Sequence, residues 1–170
     1  IHIPSLCLYT NEKYTGSMDV VGRHDQLRPG YTWRELYSSK AIVHLPYEIS
    51  TMSIFEQYSA NLPMLFPSKQ FLKKLVRDGY HRVNSIYGPY ENQNIEWWID
   101  RADFYDEENM PHIIYFNSED DLNEKIKTVD FQQVSKMMES FNKIRERSAK
   151  EKWERLIQSI LTTFLASKTC

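Results

Sequence analysis

The chain has 170 residues, 41% hydrophobic and 26% charged, with a formal net charge of −2. That length carries one domain with a core of its own, and the near-neutral charge excludes a general nucleic-acid binder built on a basic surface. No apolar run approaches the ~20 residues of a membrane span, and Cys7 and Cys170, far apart and outside any CxxC pattern, suit two free thiols in a reducing compartment, the cytoplasm.

The chain starts Ile-His-Ile-Pro, without Met or a charged-then-apolar leader, which fits a domain of a longer polypeptide. Pro4–Thr10 reads as a strand, 11–17 as a polar loop, and Met18–Gly22 as a second strand. Arg23 follows at the C-terminal end of that strand, where ligands gather in open parallel α/β sheets. Its planar fork suits phosphate oxygens; its other reading is a surface Arg paired with Asp25. Arg28-Pro29-Gly30 marks a loop. Thr32, with Glu35 three residues on, predicts a capped short helix over 33–39.

Ala41–Tyr47 is bounded like a buried strand. Ser50, Thr51 and Ser53 crowd the next helix start, and Ser53 with Glu56 has capping-box spacing. Met52, Phe55, Ser59 and Leu62 fall on one helical face. Asn61 tolerates the left-handed conformation of a helix end, and Pro63 cannot continue the helix. Pro63–Pro67 is the next strand. The unit is βαβ with a hydroxyl-rich helix N-terminus, where amides and macrodipole favour a phosphate.

Ser68 predicts an N-cap for a helix Lys69–Asp78 ended by Gly79, with Phe71, Leu72 and Leu75 on its apolar face. The stretch 80–109 is irregular, with a short helix around Ile95–Ala102. Trp97 and Trp98 there could face a sugar or pin the insert to the core, the commoner role. Pro111–Phe116 reads as the last strand, and Ser118 with Asp121 caps a helix Glu119–Lys127. Phe131–Leu165 is one or two long helices, with the charged run Lys143–Arg155 as a solvated face or a joint. The expected fold is α/β: a Rossmann-like, mostly parallel sheet with helices on both faces, its ligand-binding core over 4–127 and a helical extension over 128–170.

The central unit resembles the donor-binding motif of GT-B glycosyltransferases. Leu45-Pro46-Tyr47-Glu48 is similar to the family's Pro-Ser-x-x-Glu turn, 50–53 to its small-residue loop, and 56–63 to its Glu-Ala-Met-Ala-x-Gly-x-Pro segment. Ser and Thr stand where the family usually has Phe-Gly, and Asn61 where it has Gly. The likeness extends over roughly 17–122, and the texture of the whole is similar to glycosyltransferase domains in multidomain proteins of large DNA viruses.

The resemblance implies the C-terminal, nucleotide-sugar-binding half of such an enzyme. Glu56 would hold the ribose hydroxyls, and Ser50, Thr51, Met52 and Ser53 the pyrophosphate. Arg23 would reach a phosphate. Tyr31 or Trp33 would lie beside the base, although core is the commoner role for Trp33. The donor is a UDP-linked sugar, the acceptor a glycan, and no metal or further cofactor is required. The base that activates the acceptor would come from a neighbouring domain or a second chain. The other function class is a non-catalytic interaction module with a vestigial nucleotide pocket. No GxSxG, P-loop, GxGxxG or zinc-ligand spacing is present. His44, inside the central strand, reads as a hydrogen-bonded core residue. The acids Asp103, Asp106, Glu107 and Glu108 read as solvated rather than as a glycosidase pair.

Overall fold

The computed structural model describes residues 7–9, 21–22, 32–84 and 94–168, with 7–9, 21–22 and 165–168 described by backbone alone. Five strands form one sheet: β1 (Cys7–Tyr9), β2 (Val21–Gly22), β3 (Ile42–His44), β4 (Met64–Pro67) and β5 (Ile114–Phe116). Their order is β2-β1-β3-β4-β5, every pairing is parallel, and β3 is the central strand. Parallel strands are covered on both faces, so β3 and β4 read as near-continuous apolar runs and every residue of both is buried.

Side chains alternate across the sheet. Met64 and Phe66 join one cluster with Ile54 and Tyr58 of α2 (Met52–Ser59), Leu72 of α3 (Lys69–Arg77), and Trp98 and Ile99 of α4 (Ile95–Ile99). Val43 and Leu65 face the other way, against Leu122 of α5 (Glu119–Thr128) and Phe131 of α6 (Phe131–Lys168). Leu36 of α1 (Trp33–Tyr37) packs on Ile42. Beyond Phe131, α6 continues through Val134 and Met138 into the first cluster, so one helix closes both sides. This is the expected Rossmann-like α/β architecture, with an all-parallel sheet.

The helix ends follow local chemistry. Thr32 and Glu35 form a reciprocal capping box on α1. The hydroxyls of Ser68 and Ser118 accept from the amides of Phe71 and Asp121. Gly79 takes φ 76° after α3, and Asn61 takes φ 60° after α2. Asn61 is also gripped by α6. Asn142 Nδ2 donates to Asn61 Oδ1 at 2.7 Å and to the Tyr58 carbonyl at 2.9 Å, and Ser135 Oγ donates to the Asn61 carbonyl at 2.8 Å.

The irregular stretch is fastened by phenols. Tyr58 Oη donates to the Pro111 carbonyl (2.9 Å), Tyr105 Oη to that of Pro67 (2.6 Å), and Tyr115 Oη to that of Phe104 (2.8 Å). Trp98 is 9% exposed and belongs to the core, its commoner role.

One expectation needs correction, and one left open is decided. Trp33 is not core: it is 45% exposed and stacks on Tyr37 with ring centroids 5.6 Å apart, because Leu36 is the residue of that short helix that turns to the sheet. The C-terminal segment is one continuous 38-residue helix, and its charged run is solvated rather than a joint; it holds neither Gly nor Pro to break it. Among the described residues no helix is long and apolar enough to cross a membrane.

Asn61→Ala is expected to lower stability by about 2 kcal/mol, through left-handed backbone strain and the lost Asn142 bond. Asn61→Gly, which relieves the strain, is expected to lose less. Urea unfolding of the two variants checks this.

Candidate functional site

Strand β3 ends at the place where the chain's direction across the sheet reverses. From β1 the chain passes outward to β2; from β3 it passes the other way, to β4 and β5. In open α/β sheets the crevice outside the carboxyl ends of the strands at such a point is where ligands bind. The loop 45–51 rises from β3 there and leads into α2.

That loop is tethered from one side. His81 Nε2 donates to the Pro46 carbonyl at 2.8 Å, the Asn84 amide to the Tyr47 carbonyl at 2.8 Å, and the Ile49 amide to the Asn84 carbonyl at 3.2 Å. Glu48 and Asn84 thereby form a small parallel bridge. The tip beyond it is open: Ser50 is exposed, Thr51 half-buried, and Met52 72% exposed.

Thr51 is the N-cap of α2, and its side chain makes no capping bond. Among the described residues no side chain caps the first-turn amides of α2, while the macrodipole gives that end partial positive charge. The expected Ser53–Glu56 capping box is absent. The helix starts early enough to put Ser53 in its first turn, where the buried hydroxyl has no hydrogen-bond partner among the described residues. Glu56, one turn on, is exposed. It lies near α1: burial first, and the Glu56 carboxylate second, push the Tyr37 phenol above its ordinary pKa.

The buried face of α2 is also not the expected one. Ile54, Gln57 and Tyr58 turn inward, Phe55 is half-buried, Ser59 is exposed, and Leu62 is buried beyond the helix end. The reason lies across the sheet. His44, the inward residue at the end of β3, needs a polar partner, and Gln57 supplies it: His44 Nε2 and Gln57 Oε1 are 2.7 Å apart, both residues buried. An amide oxygen only accepts, so Nε2 carries the proton. The imidazole stacks on Phe66 at 4.6 Å. Burial pushes its pKa down to about 3, against a smaller opposing effect of the Gln57 bond. His44 is therefore neutral at physiological pH and acts as a structural group, as the sequence suggested. The amide nitrogen of Gln57 has no hydrogen-bond partner among the described residues.

Of the residues expected at the site, the fold brings Ser50, Thr51, Met52 and Ser53 together at the start of α2, with Glu56 on the next turn. Arg23 and Tyr31 lie outside the described residues. The strand leading to Arg23 is not the immediate neighbour of β3, because β1 lies between them; two strand spacings are about 10 Å.

Sequence reasoning missed Gln57, Tyr37 and the tether 81–84. Only Gln57 had a local signal, at the interval from Ile54 and Tyr58 that shares a face. The acidic residues 103 and 106–108 are exposed. Asp106 is closed on itself by the amides of Glu108 and Asn109 and by the Asn109 side chain. Among the described residues no group of three or more His, Cys, Asp or Glu could hold a metal ion.

Grooves open elsewhere too. One of about 430 Å³ follows α6 beside His112, Lys136, Met137 and Phe141. Another, of about 320 Å³, lies between Tyr37, Lys40, Asn61 and Phe131, beside the amino ends of β3 and β4, away from the start of α2. Comparison of the chain with protein-family models, curated proteins and solved structures finds no match.

The buried imidazole sets a pH dependence. Below pH ~6.5 the unfolded chain takes up a proton that folded His44 refuses, so its contribution is present above that pH and lost as pH falls towards about 3. By pH ~4.5 the loss amounts to about 2–3 kcal/mol. Chemical unfolding at the two pH values is expected to show a loss smaller by about that amount in His44→Gln.

Proposed function

We propose that this domain binds a nucleoside-diphosphate sugar at the start of α2 and serves as the donor-binding half of a GT-B-type glycosyltransferase. The observation that carries the reading is the uncapped N-terminus of α2, exposed at the carboxyl end of the central strand beside the switch in strand order. Diphosphate oxygens suit the free amides and the hydroxyls of Ser50 and Thr51. A ribose attached to that diphosphate hangs about one helical turn deeper, level with the exposed Glu56. That carboxylate can accept from both ribose hydroxyls.

As the sugar departs, negative charge grows on the terminal phosphate of the leaving nucleoside diphosphate. Fixed donors at the helix start stabilise that charge without reorganising. In this reading no metal is needed for that step, the acceptor is a glycan, and its activating base comes from a neighbouring domain or second chain. The compartment is the cytoplasm, where nucleotide-sugars and free thiols coexist.

The exposed apolar stretch of α6 favours a second reading, an interaction module whose nucleotide pocket is no longer catalytic. Turnover of a panel of nucleotide-sugars by the chain, alone and with added acceptor glycans, separates the two.

Calorimetric titration of UDP is expected to show binding, and Glu56→Gln to weaken it about tenfold or more through loss of a charge-assisted bond. Glu56 caps nothing, so the variant keeps the wild-type unfolding midpoint. Equal affinities would remove Glu56 from the ligand; absence of binding to any nucleoside diphosphate would remove the proposal.

A further inference from the structure

The groove beside the first turns of α6 shares no lining residue with the candidate site on α2. Its volume, about 430 Å³, is that of a small-ligand site. Its floor is fixed, because Met137 and Phe141 are half-buried and pack on the first core cluster. Ile144, 67% exposed, continues the apolar line past them. These three residues are four and three apart, so they share one helical face and the line runs along α6.

The border of the groove is polar and carries no carboxylate among the described residues. It is formed by Lys136, Gln133 and His112. Lys143 is paired with Glu139 at 2.7 Å, and Arg145 donates to the Asn109 carbonyl, so both cations are engaged elsewhere. Lys136 makes no ion pair among the described residues. His112 holds φ 70°, a left-handed conformation that costs a residue with a side chain energy, and its ring borders the groove. Such conformations persist only where the surroundings impose them, and they gather at ligand sites.

We propose that this groove binds an amphiphilic carboxylate with a linear aliphatic tail, its head group on Lys136 and His112 and its tail over Met137, Phe141 and Ile144. Charge selects the head: a cation and an imidazole N–H, with no acid beside them, suit a carboxylate. Shape selects the tail. From Gln133 to Ile144 the helix rises about 16 Å, polar at its amino-terminal end and apolar at the other. A narrow apolar line of that length fits a chain better than a planar ring, and Met137 adapts to its contour. A peptide fits less well. It would bring amides that the floor cannot pair, since the Ser140 hydroxyl midway along already donates to the Lys136 carbonyl.

Calorimetric titration of hexanoate, octanoate and decanoate into the 170-residue chain, below their micellar concentrations, tests this. One equivalent is expected to bind, about three- to tenfold more tightly for each two methylenes added. Octanol, matched in tail and uncharged, is expected to bind more weakly than octanoate. Lys136→Gln should weaken octanoate about two- to tenfold and leave octanol unchanged. His112→Gly, which removes a donor and relieves the left-handed strain, should weaken octanoate without lowering the urea midpoint. Ile144→Ser, at an exposed position, should reduce the gain per methylene. Absence of decanoate binding at ~1 mM, several equivalents bound, no dependence on tail length, or wild-type octanoate affinity in both Lys136→Gln and His112→Gly would overturn the proposal. So would loss of binding in Ile157→Ser, which would put the ligand on the distal half of α6.

Discussion

The hydrogen bond between His44 and Gln57 joins the central strand to the helix whose start forms the candidate site. Both side chains are fully enclosed, so neither can exchange its partner for water. A buried polar group left unpaired costs about 1–3 kcal/mol, so the pair holds α2 to one rotation about its axis. That rotation sends Ile54 and Tyr58 into the core and leaves Met52, Glu56 and Ser59 outside. The candidate site on α2 is thus positioned from beneath by a buried polar contact. Stacking of the imidazole on Phe66, and of Phe66 on Phe104, extends the same rigidity towards the irregular stretch.

Much of the architecture was legible because its determinants are local. Runs such as Ile42-Val43 and Met64-Leu65-Phe66, closed off by Pro, Ser and Asn, marked the strands, and Thr32, Ser68 and Ser118 marked helix starts through bonds that span three residues. The start of α2 was harder. Ser50, Thr51 and Ser53 can each cap a helix, and the choice between them depends on how residues 81–84 hold the loop, more than thirty positions away. The inward face of α2 was misread for a related reason: a Gln among apolar residues looks solvent-facing until the strand beneath is known to present a histidine.

The candidate site was legible in outline. A hydroxyl-rich segment between two buried strands pointed to the start of α2, and the fold sets it beside the switch in strand order, where a parallel sheet leaves a crevice. The individual roles were not legible, because they depend on which residue caps the helix and which way Glu56 turns. Neither is encoded within one turn of sequence. The resemblance to GT-B enzymes supplies the chemistry proposed for the site, and the uncapped amides give it a physical basis in this chain.

The grip of α6 on Asn61 has a mechanical consequence. A 38-residue helix is about 57 Å long, and this one is anchored near its root by Ser135, Asn142 and Arg145. Such a helix is a lever with a short inner arm and a long outer one. A load applied near Trp153 meets the Arg145 bond to the Asn109 carbonyl and, further in, the bonds by which Asn142 and Ser135 hold the end of α2, the helix that begins at the candidate site. Small angular motions of the outer arm become strain on a short, stiff element whose far end faces the crevice.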